Sequence, residues 1–407
     1  MENCFIKLFN LQGFYIDNTR MEGKTMIITV RTKSKGIICK LCGRRITTIH
    51  NYLAPSRIKH MFWAGNQIEL ELKKKCYFCW SCKKRGKIGY TTVERTKMVP
   101  RGKRYSLVYA NQIMQGLGST SFKTQQQISE GSFTTLQGIL RSRINPFIGV
   151  WNKEETTTAI GLDCHSFSGI KMLPTITDIT NHRLITILPN DKRQTVKSFL
   201  SNMPTNKKEQ IKEVCIDMDT HYLSAIREEL PNARIVVDFF HIVADANKRI
   251  TDTRTVIQRG CNVKLPKKLF DKSKEYLTLN ERAELNNIFI AYPELGALWR
   301  VKEKIRNIHK LPSTALATIS YGALLGRMKV SLYPSVRSWA KTLYRWQDSI
   351  LAYFENYTTN GYTEGVNTKL KTIKRLSYGF KNIDNYIRKA MLAFIPISLL
   401  IVTHYLT

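Results

Sequence analysis

Glu213-Val-Cys-Ile-Asp217-Met-Asp219-Thr-His-Tyr222-Leu-Ser-Ala225-Ile-Arg-Glu-Glu-Leu230-Pro-Asn-Ala-Arg-Ile-Val-Val-Asp238-Phe-Phe-His241 is the stretch that decides the class of fold. Its first seven residues are an apolar run closing on acids, which predicts a buried strand. Residues 221–230 carry helical spacing, Pro231-Asn232 breaks it, and residues 233–238 read as a second buried strand. Strand, helix, strand is the unit from which α/β sheets are built.

The same pattern extends upstream. Thr158-Ala-Ile-Gly-Leu-Asp163-Cys-His is another apolar strand ending in an acid. Ser168-Gly169 turns the chain into residues 170–178, and Asn181-His182 turns it again into residues 183–188, so an antiparallel meander is expected. A helix with Val196, Phe199 and Leu200 on its apolar side follows. Three strands therefore end in aspartate. Like charges at neighbouring strand ends raise one another's pKa, a penalty that a divalent cation removes. Mg²⁺ takes a few carboxylates together with water and phosphate oxygens. Taken singly, any of these aspartates serves equally well as the cap of the next helix.

Downstream, residues 242–355 read as helical and basic, with Trp339, Tyr344 and Trp346 expected in the core rather than as base-stacking platforms. Then comes Asn360-Gly-Tyr-Thr-Glu364-Gly-Val-Asn367-Thr-Lys-Leu-Lys371-Thr-Ile-Lys374-Arg375-Leu-Ser-Tyr378. Asn360-Gly361 breaks the preceding structure, and a helix capped by Thr363 or its neighbour is expected from about Glu364. At helical spacing Glu364, Asn367, Lys371, Arg375 and Tyr378 share one face, while Val366, Leu370 and Ile373 share another. One carboxylate among so many cations suits a metal ligand beside bound phosphates.

The chain of 407 residues carries 64 Lys and Arg against 31 Asp and Glu, a net charge of +33 spread along its length. That excess on a folded protein implies a polyanionic partner, and nucleic acid fits better than a membrane surface because no long basic amphipathic helix is present. The N-terminal residues lack a charged-then-apolar secretion pattern, so no signal peptide is expected. The apolar run at 390–406, interrupted by Pro396 and His404, reads as a buried helix rather than a membrane span. There is no internal repeat and no P-loop.

Five of the nine cysteines cluster between Cys39 and Cys82. Cys39-Lys-Leu-Cys42-Gly43 is a CxxC knuckle, and Cys76-Tyr-Phe-Cys79-Trp-Ser-Cys82 offers a second pair. Two thiolate pairs suit a tetrahedral Zn²⁺, with Cys39, Cys42, Cys79 and Cys82 as the preferred ligands. Cys76 in place of Cys82 remains open, and His50 and His60 are further alternatives. Between roughly Tyr105 and Arg143 the pattern turns helical. A short helix, a glycine stop at Gly131 and a second helix capped by Ser132 outline a helix-turn-helix ending in Arg141 and Arg143.

Together these features resemble the DDE transposases of bacterial insertion sequences of the ISL-three family over nearly the full length. The matches are Ile160-Gly-Leu-Asp163 with Phe167 and Gly169, Asp217-Met with Tyr222 and Ala225, residues 230–241, and residues 360–380. The resemblance implies a ribonuclease-H-like mixed sheet with a helical insertion, and a catalytic, metal-binding triad of Asp163, Asp217 and Glu364 holding two Mg²⁺ or Mn²⁺ ions. Asp219 and Asp238 remain alternatives for the second acid; otherwise Asp238 and His241 form an outer shell. Lys371, Lys374, Arg375, Asn367, Tyr378, Arg141 and Arg143 are the expected DNA contacts. Cys164 and Ser168 stand where the family often carries an acid and basic residues.

The expected organisation is a small β-rich zinc-binding module at 1–95, a helix-turn-helix region at 96–150, a catalytic domain at 151–241 resuming at 356–407, and a helical insertion at 242–355. The implied activity is binding of terminal inverted repeats, strand cleavage and strand transfer by a homo-oligomer on DNA. The setting is the bacterial cytoplasm at the nucleoid, with no membrane partner. A transposase-derived regulator without catalysis, or a ribonuclease-H-like nuclease, is the alternative.

Overall fold

The computed structural model describes residues 2–401, with side chains from residue 5. The last residues of the apolar run at 390–406 lie outside the described residues. The chain divides into two compact units, residues 1–148 with 372–407, and residues 149–371. The block expected to run from 356 to 407 is therefore shared between them.

After the short helix Glu2–Leu8 the first unit forms a four-stranded sheet. Phe14–Glu22 and Thr25–Thr32 form a hairpin, and Asn66–Lys73 lies parallel to the second of them with Ser56–Trp63 beyond it. Asn66–Lys73 alternates polar and apolar residues, as a strand with one buried face does, and the hairpin ahead of it does not. Its exposed strand has few apolar residues, and its partner carries a run of them, so neither shows a clean period of two. Phe9, Ile28, Val30, Ile58, Ile68 and Leu70 make this unit's main core. Three helices follow, Leu107–Ser119, Phe122–Ser129 and Phe133–Ile144, each capped by a serine, Ser106, Ser121 and Ser132. Between the second and third the chain turns at Glu130, whose backbone is left-handed. The helix Ile383–Leu392 packs on the first and third of these helices.

The second unit is built on one five-stranded sheet. Its spatial order is Arg183–Ile187, Lys171–Asp178, Ala159–Ser168, Glu213–Ile216 and Arg234–Val237. The first three in sequence form the antiparallel meander, and the last two add parallel to Ala159–Ser168. The two parallel additions are only four residues long and buried throughout or nearly so, as their unbroken apolar runs imply. Helices Arg193–Ser201 and Leu223–Glu229 provide the crossovers. From Phe239–Cys261 to Tyr353–Asn356 the chain is helical, and its apolar side joins the sheet's core in a single cluster. Trp339 and Trp346 are buried in that cluster, whereas Tyr344 is exposed with the Lys329 ammonium over its ring.

Candidate active site and cysteine cluster

Register sets the first two acids side by side. Leu162 pairs with Ile216 in the parallel ladder, so Asp163 and Asp217 follow at adjacent positions on neighbouring strands. Ile216 pairs in turn with Val237, which brings Asp238 to the same edge. Asp217 and Asp238 directly follow their strands, whereas Asp163, expected to end its strand, lies midway along Ala159–Ser168 at the point where the parallel ladder stops and the antiparallel pairing to Lys171–Asp178 continues.

They are not used alike. Asp238 is buried with both oxygens engaged. Oδ1 accepts from the Phe240 N–H at 2.8 Å, capping Phe239–Cys261, and Oδ2 accepts from the Asn360 N–H at 2.7 Å. Asp219 is exposed and accepts from the His221 N–H at 2.8 Å. Asp217 is half-buried. Burial pushes its carboxyl up to about 6, against the pull of His241 and with reinforcement from Asp163 and Asp219.

Glu364 reaches this edge through a set of stitches. Glu213, buried in its strand, accepts from Asn356 and Thr358, fixing the chain just before the helix Gly361–Leu376. Asp238 then holds the Asn360 N–H. Gly161 lets the first turn come down on the sheet: a Cβ there would collide with the side chains of Thr363, Asn360 and Thr177. Thr363 Oγ1 meets Thr177 Oγ1 at 2.7 Å. Thr363 is therefore a buried contact inside the helix rather than its cap, and the helix begins at Gly361, earlier than its spacing suggested.

One turn further, Asn367 is buried with both ends of its amide committed. Thr175 Oγ1 donates to its Oδ1 at 2.7 Å, and its Nδ2 donates to Asp163 Oδ2 at 2.9 Å. His165 Nδ1 lies 2.9 Å from Thr175 Oγ1, extending the network under the sheet. The polar face expected for this helix thus splits: Asn367 turns inward with Val366 and Leu370, while Lys371 and Arg375 stay exposed. Tyr378 sits beyond the helix end in a left-handed turn, 95 % exposed. In the first unit Arg141 is exposed, and Arg143 is half-buried beside Tyr105, where burial lowers its pKa.

Glu364 is half-buried, and burial, Asp238 and Asp163 raise its pKa against the opposing His241 and Lys371. Its Oε1 and the Nε2 of His241 are buried with no hydrogen-bond partner among the described residues. An orphaned carboxylate oxygen beside other carboxylates costs stability unless a cation is added. Carboxylate oxygens are the hard donors a divalent ion takes, but Asp163, Asp217 and Glu364 do not all bring an oxygen within 4.8 Å of one another.

The cysteine cluster is tighter. Cys39, Cys42, Cys79 and Cys82 have sulfurs that all lie within 4.8 Å of one another, and no second set of three or more such ligands is that close among the described residues. Cys39 and Cys82 Sγ are 3.8 Å apart, Cys42 and Cys79 Sγ 3.7 Å. Gly43, at φ +72, closes the first knuckle, and its N–H donates to the Cys39 carbonyl at 3.0 Å. Burial and the neighbouring thiols push the Cys82 thiol up to about 12. Cys76 is buried in the strand Lys75–Phe78, outside the cluster. His60 bonds to Ser106 and the Phe9 carbonyl, and His50 stacks on Phe78. Such a set fits a structural zinc.

A family model for DDE transposases of the ISL3 type, described as Transposase, matches residues 160–390. The chain belongs to this transposase family. It is also similar to the transposase for insertion sequence element IS1001 of Bordetella parapertussis, at 23 % identity over 397 residues, covering 94 % of this chain and 96 % of that protein. The family match begins in the strand that carries Asp163 and spans Asp217 and Glu364. No helix among the described residues of this transposase is long and apolar enough to cross a membrane.

Proposed function

We propose that the protein binds the terminal inverted repeats of an insertion sequence and carries out metal-dependent cleavage and joining of DNA strands, with Asp163, Asp217 and Glu364 as the catalytic ligands. The observation that carries this reading is the convergence of three carboxylates from distant parts of the chain, with Asp163 raising the pKa of both others and an oxygen of Glu364 left without a partner. The sheet order, with an antiparallel meander followed by two parallel strands, supports a ribonuclease-H-like fold interrupted by the helical segment 242–355.

Two divalent cations, Mg²⁺ or Mn²⁺, would there activate an attacking oxygen and stabilise the departing one at a phosphodiester. The protein's own residues do the rest. Asn367 fixes the orientation of Asp163, and Asp238 anchors the start of the helix bearing Glu364. His241, beside Asp217 and Glu364, orients a ligand or phosphate. Lys371, Lys374 and Arg375 hold backbone phosphates along the same helix.

A Zn²⁺ held by Cys39, Cys42, Cys79 and Cys82 rigidifies the 1–95 module. The helices Phe122–Ser129 and Phe133–Ile144 act as the helix-turn-helix, with Arg141 and Arg143 on phosphates and Tyr378 as a further DNA contact. The protein works as a homo-oligomer on element ends in the bacterial cytoplasm. In a cleavage assay on duplexes carrying element ends, Asp163→Ala should lose strand cutting while retaining DNA binding. Full activity in that variant overturns the assignment, and hydrolysis without joining to a target reassigns the protein as a nuclease.

A further inference from the structure

The first unit carries a cleft of about 490 Å³ lined by Arg57, Lys74, Arg95, Arg101, Lys103 and Arg104 and by no acidic side chain. Arg57 is committed to Glu22 at 2.7 Å and to Glu71 at 3.5 Å. Among the described residues no ion pair engages Arg95, Arg101, Lys103 or Arg104, so the cleft's unpaired charge rests mainly on these four. Gathering like charges around one concavity raises the free energy of the protein alone and is offset by a polyanion.

This segment is held rigidly. Met98 is fully buried, and its carbonyl accepts from the Leu107 N–H at 2.7 Å. The Arg104 carbonyl accepts from the Lys59 N–H at 3.0 Å, and the Ser106 N–H donates to the Lys59 carbonyl at 2.8 Å. Between these anchors the Lys103 N–H closes a turn on the Pro100 carbonyl at 3.1 Å, with Gly102 at φ +70 in the position that a type II turn reserves for glycine. Arg101, Lys103 and Arg104 are exposed on this turn. A preorganised tip of this kind sacrifices little backbone entropy on binding.

We propose that this cleft and its turn are a docking site for the phosphodiester backbone of duplex DNA, separate from the helices at 122–144, giving affinity without base readout. The proposal rests on the DNA-binding reading above. Cations spread along an open turn suit successive phosphates rather than one small anion, and phosphate contacts of this type fix register while carrying no sequence information.

The test is a titration of the full-length protein with an element-end duplex and with an unrelated duplex of equal length, across a KCl series. Combined Arg101→Ala, Lys103→Ala and Arg104→Ala should weaken both duplexes by the same factor, about 10- to 100-fold, and lower the salt slope by about 2–3. Unchanged affinity and slope, with the parent protein binding normally, overturns this site and leaves the proposed function standing. A loss confined to the element-end duplex also overturns it, because that is base readout. Failure of the parent to bind either duplex overturns both. Should the triple variant melt below the parent, single Arg101→Gln and Arg104→Gln substitutions, each lowering the slope by about one, decide the matter.

Discussion

The cysteine cluster and the carboxylate edge both crowd ligands that repel one another when ionised, yet they are built in opposite ways. The four sulfurs come from two short knuckles and close into one mutually adjacent set. The three carboxylates come from two strands and a helix far downstream and stay more open, and Glu364 keeps a buried oxygen without a partner. A closed set of four soft ligands suits an ion that stays and holds a fold. An open set of hard ligands leaves coordination positions for water and phosphate, which catalysis on a phosphodiester needs.

Removing ligands should separate the two with the largest effect. Cys82→Ser is expected to release zinc, measured by metal analysis, and to lower the melting temperature and specific DNA binding. Asp217→Asn should instead cut strand cleavage by about 10²–10³-fold, the range seen when a principal electrostatic group is removed, while raising the melting temperature of the metal-free protein. The sign follows from the carboxyl being pushed up to about 6 in the fold. The stability it contributes when protonated is complete below its ordinary value near 3.8 and lost as pH rises through 6, so at neutral pH the charge is a burden that asparagine removes. Cleavage retained in Asp217→Asn would break the contrast.

Next in size is Gly161→Ala. Its new methyl group would push Thr363 and Asn360 off the sheet and carry Glu364 with them, costing about 1–3 kcal/mol as overpacking. Cleavage should fall by more than binding, and equal falls would show that the helix merely needs to fold. A smaller, sharper effect is expected at Asn367. Asn367→Ala frees Asp163 Oδ2 and should weaken divalent-metal affinity by about 10- to 100-fold, measured by Mn²⁺ titration, with unchanged zinc content.

The last effect is one on stability alone, with none expected on cleavage at neutral pH, and it belongs to the first unit. Burial drives the His60 imidazole down to about 4, so its neutral form supports the fold fully above pH 6.5, and that support fades as pH falls towards 4. Melting curves between pH 7 and 4.5 should show an acid loss of up to about 3 kcal/mol that a His60→Gln variant lacks. A parallel loss in both proteins would assign the acid sensitivity elsewhere.

Much of this was legible in the sequence because it is local. Two residues between Cys39 and Cys42 with a glycine after them, Ser132 ahead of the helix Phe133–Ile144, and apolar runs leading up to Asp163, Asp217 and Asp238 all express contacts spanning a few residues. The sequence alone determined a basic, α/β-containing protein with a thiolate knuckle pair and strand-end acids. Tertiary structure decided what each polar group is free to do. Asp217 and Asp238 end similar strands, but only packing against Phe240 and Asn360 commits both Asp238 oxygens. Asn367 and Lys371 share a helical face by spacing, yet the sheet beneath takes one inward and leaves the other in solvent. Spacing along a helix or strand is fixed by covalent geometry, whereas the partner of a buried oxygen depends on which distant backbone arrives there, and that is a property of the packed sheet.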